Sequence, residues 1–313
     1  MGTSVQEIDS AIDKGLEGIV ACTTKVSSII DATLTYRGYT IEDLAAKATF
    51  EEVVFLLWNG KLPNKNEAEA LRADLVKNMD LKPEVVAVMK SLPAKKAIPM
   101  DYLRTVVSSL SMFDPDVSDI TEPANRRKAV RLTGVMGALV AGFHRLREGK
   151  EILKPDPSKG VAWNFLYLLQ GEKPQEDTAR AFDVCLILHA DHELNCSAFS
   201  ARVTTSSLSD MHSAITSAIG TLKGPLHGGA NEQVMKMLLE IGTLEKAKTF
   251  IEDALQNKAK VMGIGHRVYK NGDPRAKVLQ KMSSELTAKK GIKHFFEMSV
   301  QIDTIMQEKK DLL

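Results

Sequence analysis

Apolar residues recur at helical spacing along most of this chain, and this periodicity limits its possible folds more than any other feature. In the clearest case the apolar positions follow one another at i, i+3, i+4 and i+7, and they are Val234, Met237, Leu238 and Ile241. Gly242 then stands where a helix commonly ends. The same pattern predicts helices at Glu51–Trp58, Glu67–Asn78, Pro83–Leu92, Met100–Ser111, Arg127–Arg147, Glu176–Ala190 and His294–Lys310.

Strand-like sequence is confined to the N-terminal part. Thr, Val and Ile are frequent between Gly18 and Tyr39, and Arg37-Gly38 is typical of a turn. Two segments rich in Pro and Asp, Asp114–Asn125 and Lys154–Gly160, are predicted loops. We therefore predict a mainly α fold.

Composition limits the classes of partner. Of 313 residues, 41 are Lys or Arg and 40 are Asp or Glu, so the chain lacks the broad positive field that sequence-independent nucleic-acid binding requires. The longest apolar runs, near Gly134–Phe143 and Val184–Leu188, are too short to span a bilayer. Three cysteines without metal-ligand spacing are typical of a reducing compartment. We expect a cytoplasmic protein that binds neither nucleic acid nor membrane.

The first candidate site is Gly-Pro-Leu-His-Gly-Gly-Ala-Asn, from Gly224 to Asn231, which leads directly into a helix. Two glycines after His227 leave the backbone bare, so that a ligand can approach the imidazole closely. The helix start disfavours a charged imidazolium. His227 would then be a neutral hydrogen-bond donor to an oxygen that gains negative charge. The alternative is a turn that uses glycine for its shape, with His227 only packing.

The second candidate, from Gly263 to Arg275, combines glycines, His266 and three cationic side chains. Backbone N–H groups with Arg and Lys make a phosphate site, and the planar guanidinium of Arg275 could bind a carboxylate. Neither a dinucleotide fingerprint nor a Walker loop is present. A solvated basic turn is the alternative.

The third candidate, His189-Ala190-Asp191-His192-Glu193-Leu194-Asn195, ends a helix that we predict to be largely buried. Ionisable groups there are costly unless they are paired or contact a polar ligand. The spacing matches neither H-E-x-x-H nor H-x-x-E-H, which weighs against zinc. A hydrogen-bonded network at the helix end and a ligand contact by His192 both stay open.

Together and in this order, the three motifs closely resemble the citrate synthase family, above all its shorter bacterial members. The resemblance covers essentially the whole chain, including Tyr36-Arg37-Gly38-Tyr39, Pro99-Met100-Asp101 and Ser197–Val203. It implies an acyltransferase of the tricarboxylic acid cycle that condenses acetyl-CoA with oxaloacetate and hydrolyses citryl-CoA to citrate and CoA. It also implies no permanently bound cofactor, because acetyl-CoA is a co-substrate.

The resemblance assigns roles to residues of these motifs. His227 corresponds to the histidine that stabilises the enol or enolate of acetyl-CoA, and His266 to the one that polarises the oxaloacetate carbonyl. His192 and Arg275 correspond to oxaloacetate-binding groups, and Lys270 to a basic residue near a CoA phosphate. The stretch that packs on the CoA adenine corresponds to Lys260, Val261, Met262, Gly263, Ile264 and Gly265.

The resemblance further implies a homodimer in which a small helical domain closes over a large one. We place the large domain at residues 1–229 and the small one at 230–313. The family's catalytic aspartate should follow the helix His294–Lys310, but the sequence ends at Leu313. We therefore expect a missing C-terminal segment that would complete both domains, with this aspartate and further substrate arginines. Another departure is Ile98, where the family often has histidine.

Two alternatives follow. Propionyl-CoA could replace acetyl-CoA, giving 2-methylcitrate, because one methylene alters binding only modestly. The absent aspartate also allows a catalytically silent relative that only binds CoA or oxaloacetate. A metal hydrolase is a third and weaker reading.

Overall fold

The structure, a computed structural model, describes residues 19–30, 33–265 and 272–310. Within these ranges it contains 14 α-helices, one short 3-10 helix (Leu110–Phe113) and one three-stranded sheet. The helices are α1 (Ile41–Lys47), α2 (Phe50–Asn59), α3 (Lys65–Lys77), α4 (Pro83–Ser91), α5 (Pro99–Ser109), α6 (Glu122–Arg147), α7 (Val161–Gln170), α8 (Glu176–Leu188), α9 (Cys196–Ser206), α10 (Met211–Leu222), α11 (Ala230–Ile241), α12 (Leu244–Gln256), α13 (Pro274–Lys289) and α14 (Lys293–Lys310). The predicted mainly α fold is confirmed.

The sheet lies in the N-terminal region, as the sequence predicts. Its strands β1 (Ser27–Ile30), β2 (Thr33–Tyr36) and β3 (Tyr39–Thr40) are antiparallel and lie in chain order. The predicted Arg37-Gly38 turn joins β2 to β3, with φ values of 51° and 90°. Both residues are left-handed, which is the conformation that tight two-residue hairpin turns require.

The helices surround several apolar cores. The first core joins β2 to helices α1, α2 and α8, and the second joins α4, α5, α6 and α10. A third core contains α11, α12, α14 and the side chain of Val261. Helix α13 packs differently, because Val278, Leu279 and Met282 lie against the first core. This contact brings the start of α13 to the end of α8, where the third candidate motif lies.

The predicted helices are present, with shifted ends. The predicted loop at Asp114–Asn125 is too long, since α6 begins at Glu122 with a proline in its first turn, a position that suits proline. Helix α8 ends at Leu188, two residues before the predicted end, and His189 is an exposed C-cap rather than a buried residue. Across the described parts of the chain, no helix is long and apolar enough to cross a bilayer.

Candidate active site

His227 lies in a tight turn between α10 and α11. The carbonyl oxygen of Gly224 accepts hydrogen bonds from the backbone N–H of His227, at 3.0 Å, and of Gly229, at 3.2 Å. A Cβ added to Gly228 would lie 2.5 Å from the Leu222 side chain, and one on Gly229 would lie 2.9 Å from a backbone oxygen. Both glycines are therefore required by the turn's own close packing, which is the alternative that the motif left open beside ligand approach.

A hydrogen-bonded chain fixes the imidazole of His227. Its Nε2 atom lies 3.0 Å from the hydroxyl of Ser197, and that hydroxyl lies 2.7 Å from the side-chain oxygen of Asn195. The same Asn195 oxygen caps α9 by accepting from the Ala198 N–H at 3.0 Å. Partial burial lowers the pKa of His227. Burial therefore favours the neutral form of the imidazole.

An ion pair ties this turn to α5. Lys223, which directly precedes the turn, places its Nζ 2.7 and 2.8 Å from the two carboxylate oxygens of Asp101. Arg104 contacts the same carboxylate at 3.1 Å. The hydrogen bond from Lys223 holds the pKa of Asp101 below its ordinary value. Two elements far apart in sequence are thereby fixed together beside His227.

His192 lies in the irregular segment between α8 and α9, with Asp191 before it and Glu193 after it. Glu193 has a φ of 54°, which is unfavourable for a residue with a long side chain. Burial raises the pKa of Asp191, although a hydrogen bond from Ser27 and the charge of His192 act against the shift. Such strain persists only where surrounding contacts impose it.

Arg275 lies beside this segment at the start of α13. Its guanidinium binds the carboxylate of Asp273 through two atoms, with Nε–Oδ1 at 2.9 Å and Nη2–Oδ2 at 2.7 Å. Burial acts to raise the pKa of Asp273, but the hydrogen bonds from Arg275 outweigh it and the pKa is lowered. The charge of His192 acts on the same carboxylate in the same direction. Arg275 and the charge of His192 thus act on the same carboxylate, that of Asp273.

The segment from Lys260 to Gly265 follows α12. Val261 is buried in the third core, and Met262 and Ile264 pack against that core. Gly263 and Gly265 have φ values of 84° and 83°, which favour glycine. The side chains of Val261, Met262 and Ile264 anchor the loop, while Lys260 and the two glycines are exposed. His266 and Lys270 lie outside the described residues.

Three contributors to the site did not emerge from the sequence as functional residues. Ser197, Lys223 and Asp273 each act through a partner, as described above. Asp273 carried a signal, because Asp-Pro commonly caps a helix N-terminus. Ser197 and Lys223 carried none, because their partners lie 30 and 122 positions away. Among the described residues, no group of three or more His, Cys, Asp or Glu side chains could hold a metal ion.

Comparison with known proteins gives the same family by sequence and by structure. The family model described as "Citrate synthase, C-terminal domain" matches residues 15–312. "Citrate synthase 2" of Bacillus subtilis is 51% identical over 299 residues, which cover 96% of this chain and 80% of that protein. A "2-methylcitrate synthase" of Mycobacterium tuberculosis is 43% identical, over 86% of this chain and 68% of that protein.

A solved structure matches closely. It is the ternary complex of carboxymethyl coenzyme A and oxaloacetate with citrate synthase from Thermoplasma acidophilum. The TM-score is 0.89 at 30% sequence identity, and the match covers 95% of this chain and 78% of that one.

Proposed function

The chain belongs to the citrate synthase family, and from that premise we propose that it condenses acetyl-CoA with oxaloacetate and releases citrate and CoA. The observation that carries the proposal is the hydrogen-bonded chain from Asn195 through Ser197 to the half-buried, neutral His227. A neutral imidazole is the form that can donate to a carbonyl oxygen as it becomes an enolate oxygen.

The proton of Ser197 decides which imidazole nitrogen can serve as that donor. In the structure the Ser197 hydroxyl donates to the Asn195 side-chain oxygen at 2.7 Å, and its oxygen lies 3.0 Å from the His227 Nε2. When the hydroxyl turns and donates to Nε2 instead, the proton of the neutral ring resides on Nδ1. Once a base has taken a proton from the acetyl methyl group, Nδ1 donates to the carbonyl oxygen of the resulting enolate, whose charge is stabilised without an imidazolium.

Oxaloacetate is placed at His192 and Arg275. The dicarboxylate needs cationic donors, and an Arg guanidinium binds a carboxylate through two parallel hydrogen bonds. Arg275 makes this type of contact with Asp273, so its guanidinium is held in a defined orientation. We assign the keto-group donor to His266, on the family resemblance.

The CoA end of the co-substrate is placed at the exposed backbone of the Lys260–Gly265 loop. Lys260, Gly263 and Gly265 offer an uncovered surface, and we assign a phosphate contact to Lys270. No cofactor is bound between turnovers, because the thioester supplies both the reactive carbon and the leaving group. The T. acidophilum relative, which binds a CoA analogue and oxaloacetate, supports CoA and oxaloacetate as the ligands.

The assembly is proposed as a cytoplasmic homodimer with domains at residues 1–229 and 230–313. Support for an interface comes from large exposed apolar side chains on and near α9 and α10, where Val203, Leu208 and Leu226 are 55%, 76% and 88% exposed. Groups of exposed apolar side chains commonly mark protein–protein contacts. Support for the smaller domain comes from the separate third core.

Propionyl-CoA is the second candidate acyl donor, because a 2-methylcitrate synthase is among the relatives. The test incubates the purified protein with oxaloacetate and equal amounts of acetyl-CoA and propionyl-CoA, and identifies the products by mass spectrometry. We expect citrate in excess over 2-methylcitrate. An excess of 2-methylcitrate would make propionyl-CoA the preferred acyl donor. The absence of both products would support a silent binding protein.

A further inference from the structure

We propose that Ser27 and Tyr36 of the N-terminal hairpin are positioning residues that hold His192 in place for the keto-acid substrate. The inference rests on the proposed function, because it takes His192 to bind oxaloacetate. It adds an element that lies more than 150 positions from His192 in sequence and that neither the motifs nor the comparisons assign to the site.

Ser27 binds both residues that flank His192. Its hydroxyl donates to a carboxylate oxygen of Asp191 and accepts from the backbone N–H of Glu193 at 2.8 Å. Strand β1 makes a third contact, since the N–H of Ile29 donates to the Glu193 carboxylate at 2.9 Å. Ser27 is 6% exposed, so water does not easily replace these hydrogen bonds. The backbone of His192 is therefore held on both sides by one strand.

Tyr36 contacts the same segment through its side-chain hydroxyl. Its side chain is fully buried, and its hydroxyl lies 3.3 Å from the carbonyl oxygen of Leu188 and 3.0 Å from that of Asp191. The hydroxyl also lies 3.4 Å from the N–H of Asp191. These groups belong to the last turn of α8 and to the residue before His192. Tyr36 thus fixes the point at which the chain leaves the helix.

The segment gains support from outside because it has no regular secondary structure. Residues 189–195 form neither helix nor strand, and Glu193 has a left-handed φ of 54°. A non-glycine residue keeps that conformation only where its surroundings impose it. The contacts from Ser27 and Ile29 to Glu193 are the described contacts that impose it here.

The position of the segment decides which substrate would be affected. The start of α13 packs near the end of α8, and the charge of His192 acts on the Asp273 carboxylate that Arg275 binds. A shift of the His192 ring therefore changes the keto-acid site. The loop assigned to CoA belongs to the third core, to which the hairpin does not contribute. Loss of the hairpin contacts should therefore weaken oxaloacetate binding and leave the acetyl-CoA site unchanged.

The experiment compares Ser27→Ala with Ser28→Ala. Ser28 is the next residue of the same strand, and its hydroxyl pairs with that of Thr35 within the sheet at 2.9 Å. We expect Ser27→Ala to raise KM for oxaloacetate about tenfold, with KM for acetyl-CoA within about twofold of the wild-type value. Tyr36→Phe should act in the same direction, and Ser28→Ala should match the wild type.

Calorimetric titration with oxaloacetate extends the test to variants that turn over slowly, and thermal melting shows whether each variant is folded. Equal KM and Kd values for Ser27→Ala and Ser28→Ala overturn the inference and leave the proposed function standing. A fall in kcat alone, with both KM values unchanged, also overturns it, because this indicates only a smaller folded fraction. Wild-type protein that neither binds nor consumes oxaloacetate overturns both.

Discussion

At the scale of single residues, the site depends on side chains that act through others. His227 contributes a neutral ring, but Ser197 determines which of its nitrogens carries the proton, and Asn195 holds Ser197 while it caps α9. Because the same amide oxygen serves both the helix and the hydroxyl, the orientation of the catalytic ring is linked to the start of a helix. The orientation of the His227 ring and the position of its proton therefore depend on Ser197 and Asn195 as well.

Removal of the Ser197 hydroxyl tests this link. Without it, Nε2 of His227 has no fixed hydrogen-bond partner and the ring can adopt either tautomer, so Ser197→Ala should lower kcat by about 10- to 100-fold. Steady-state kinetics of CoA release measures the effect. Ser200→Ala is the control, since that hydroxyl pairs with Ser217 on the neighbouring helix, at 2.6 Å. Equal kcat values for the two variants would contradict the role of Ser197.

The sequence offered candidates for the chemically active side chains but not for the side chains that support them. His227, His192 and Arg275 stand in short motifs whose residue types indicate hydrogen bonding to anions, and this can be read without a fold. Ser197 and Ser27 are ordinary serines whose partners are set by tertiary packing. The left-handed Glu193 was equally unpredictable, because neither its residue type nor its neighbours favour that conformation.

At the scale of elements, the turn that carries His227 is fixed to α5 by the ion pair of Lys223 and Asp101. Both side chains are about one-third exposed, so the pair contributes little to the stability of the whole chain. The ion pair instead holds the turn in position, because the turn begins at Gly224, the residue after Lys223.

Lys223→Met should therefore lower kcat by about 3- to 10-fold while changing the melting temperature only slightly. Lys236→Met is the matched control, because Lys236 forms an ion pair with Glu232 at 2.6 Å, on the exposed surface of α11. Kinetics and thermal melting of both variants provide the comparison. Loss of stability without loss of kcat in Lys223→Met would assign the ion pair to the fold alone.

A buried carboxylate joins α8 to the start of α2. Asp183 accepts from the Phe50 N–H at 3.0 Å and pairs with Arg180 at 2.6 Å. Burial and the nearby charge of Glu51 raise the pKa of Asp183 to about 6. Since this pKa lies above that of the unfolded chain, the folded state holds the proton more tightly, and the free energy of unfolding falls as pH rises from about 4 to 6.

Asp183→Asn removes this titration. The free energy of unfolding of the variant, relative to wild type, should therefore rise by about 1–3 kcal/mol between pH 4 and pH 7. Urea unfolding at several pH values measures it. Asp43→Asn is the control, and the pH dependence of its unfolding free energy should have the opposite sign, because a hydrogen bond from Lys47 lowers the pKa of Asp43. If the difference in free energy of unfolding between Asp183→Asn and wild type does not change with pH, the raised pKa of Asp183 is contradicted.

Element prediction succeeded where the periodicity was strong, but it missed six helices and misplaced several helix ends. The missed helices are α1, α7, α9, α10, α12 and α13. The apolar face of α11 contributes Met237, Leu238 and Ile241 to the third core, as its spacing predicts. The start of α6 was missed because Pro123 reads as a loop signal, although proline in a first turn favours a helix start. Helix α9 gave no clear periodicity, and its described residues are at most half-buried.

At the scale of the whole molecule, the candidate site combines residues from parts of the chain that belong to different apolar cores. His192 follows a helix of the first core, Lys223 and His227 follow a helix of the second, and Val261 anchors its loop in the third. Helix α13 carries Arg275 at its start and packs on the first core.

The contacts that link the cores were beyond prediction from sequence. Periodicity identifies which face of a helix is buried, but it does not identify the partner element. Two examples are the packing of α13 on the first core and the hydrogen bonds of β1 with residues 191–193. The resemblance supplied the family fold, and the structure supplied the contacts that position the side chains.

The most direct test of the account is the release of CoA thiol from acetyl-CoA by the purified protein, with and without oxaloacetate. The account predicts release that requires oxaloacetate and that falls by about 10²- to 10³-fold in His227→Gln, since an enolate then lacks its donor. Release that is independent of oxaloacetate, absent, or unchanged in His227→Gln would contradict it.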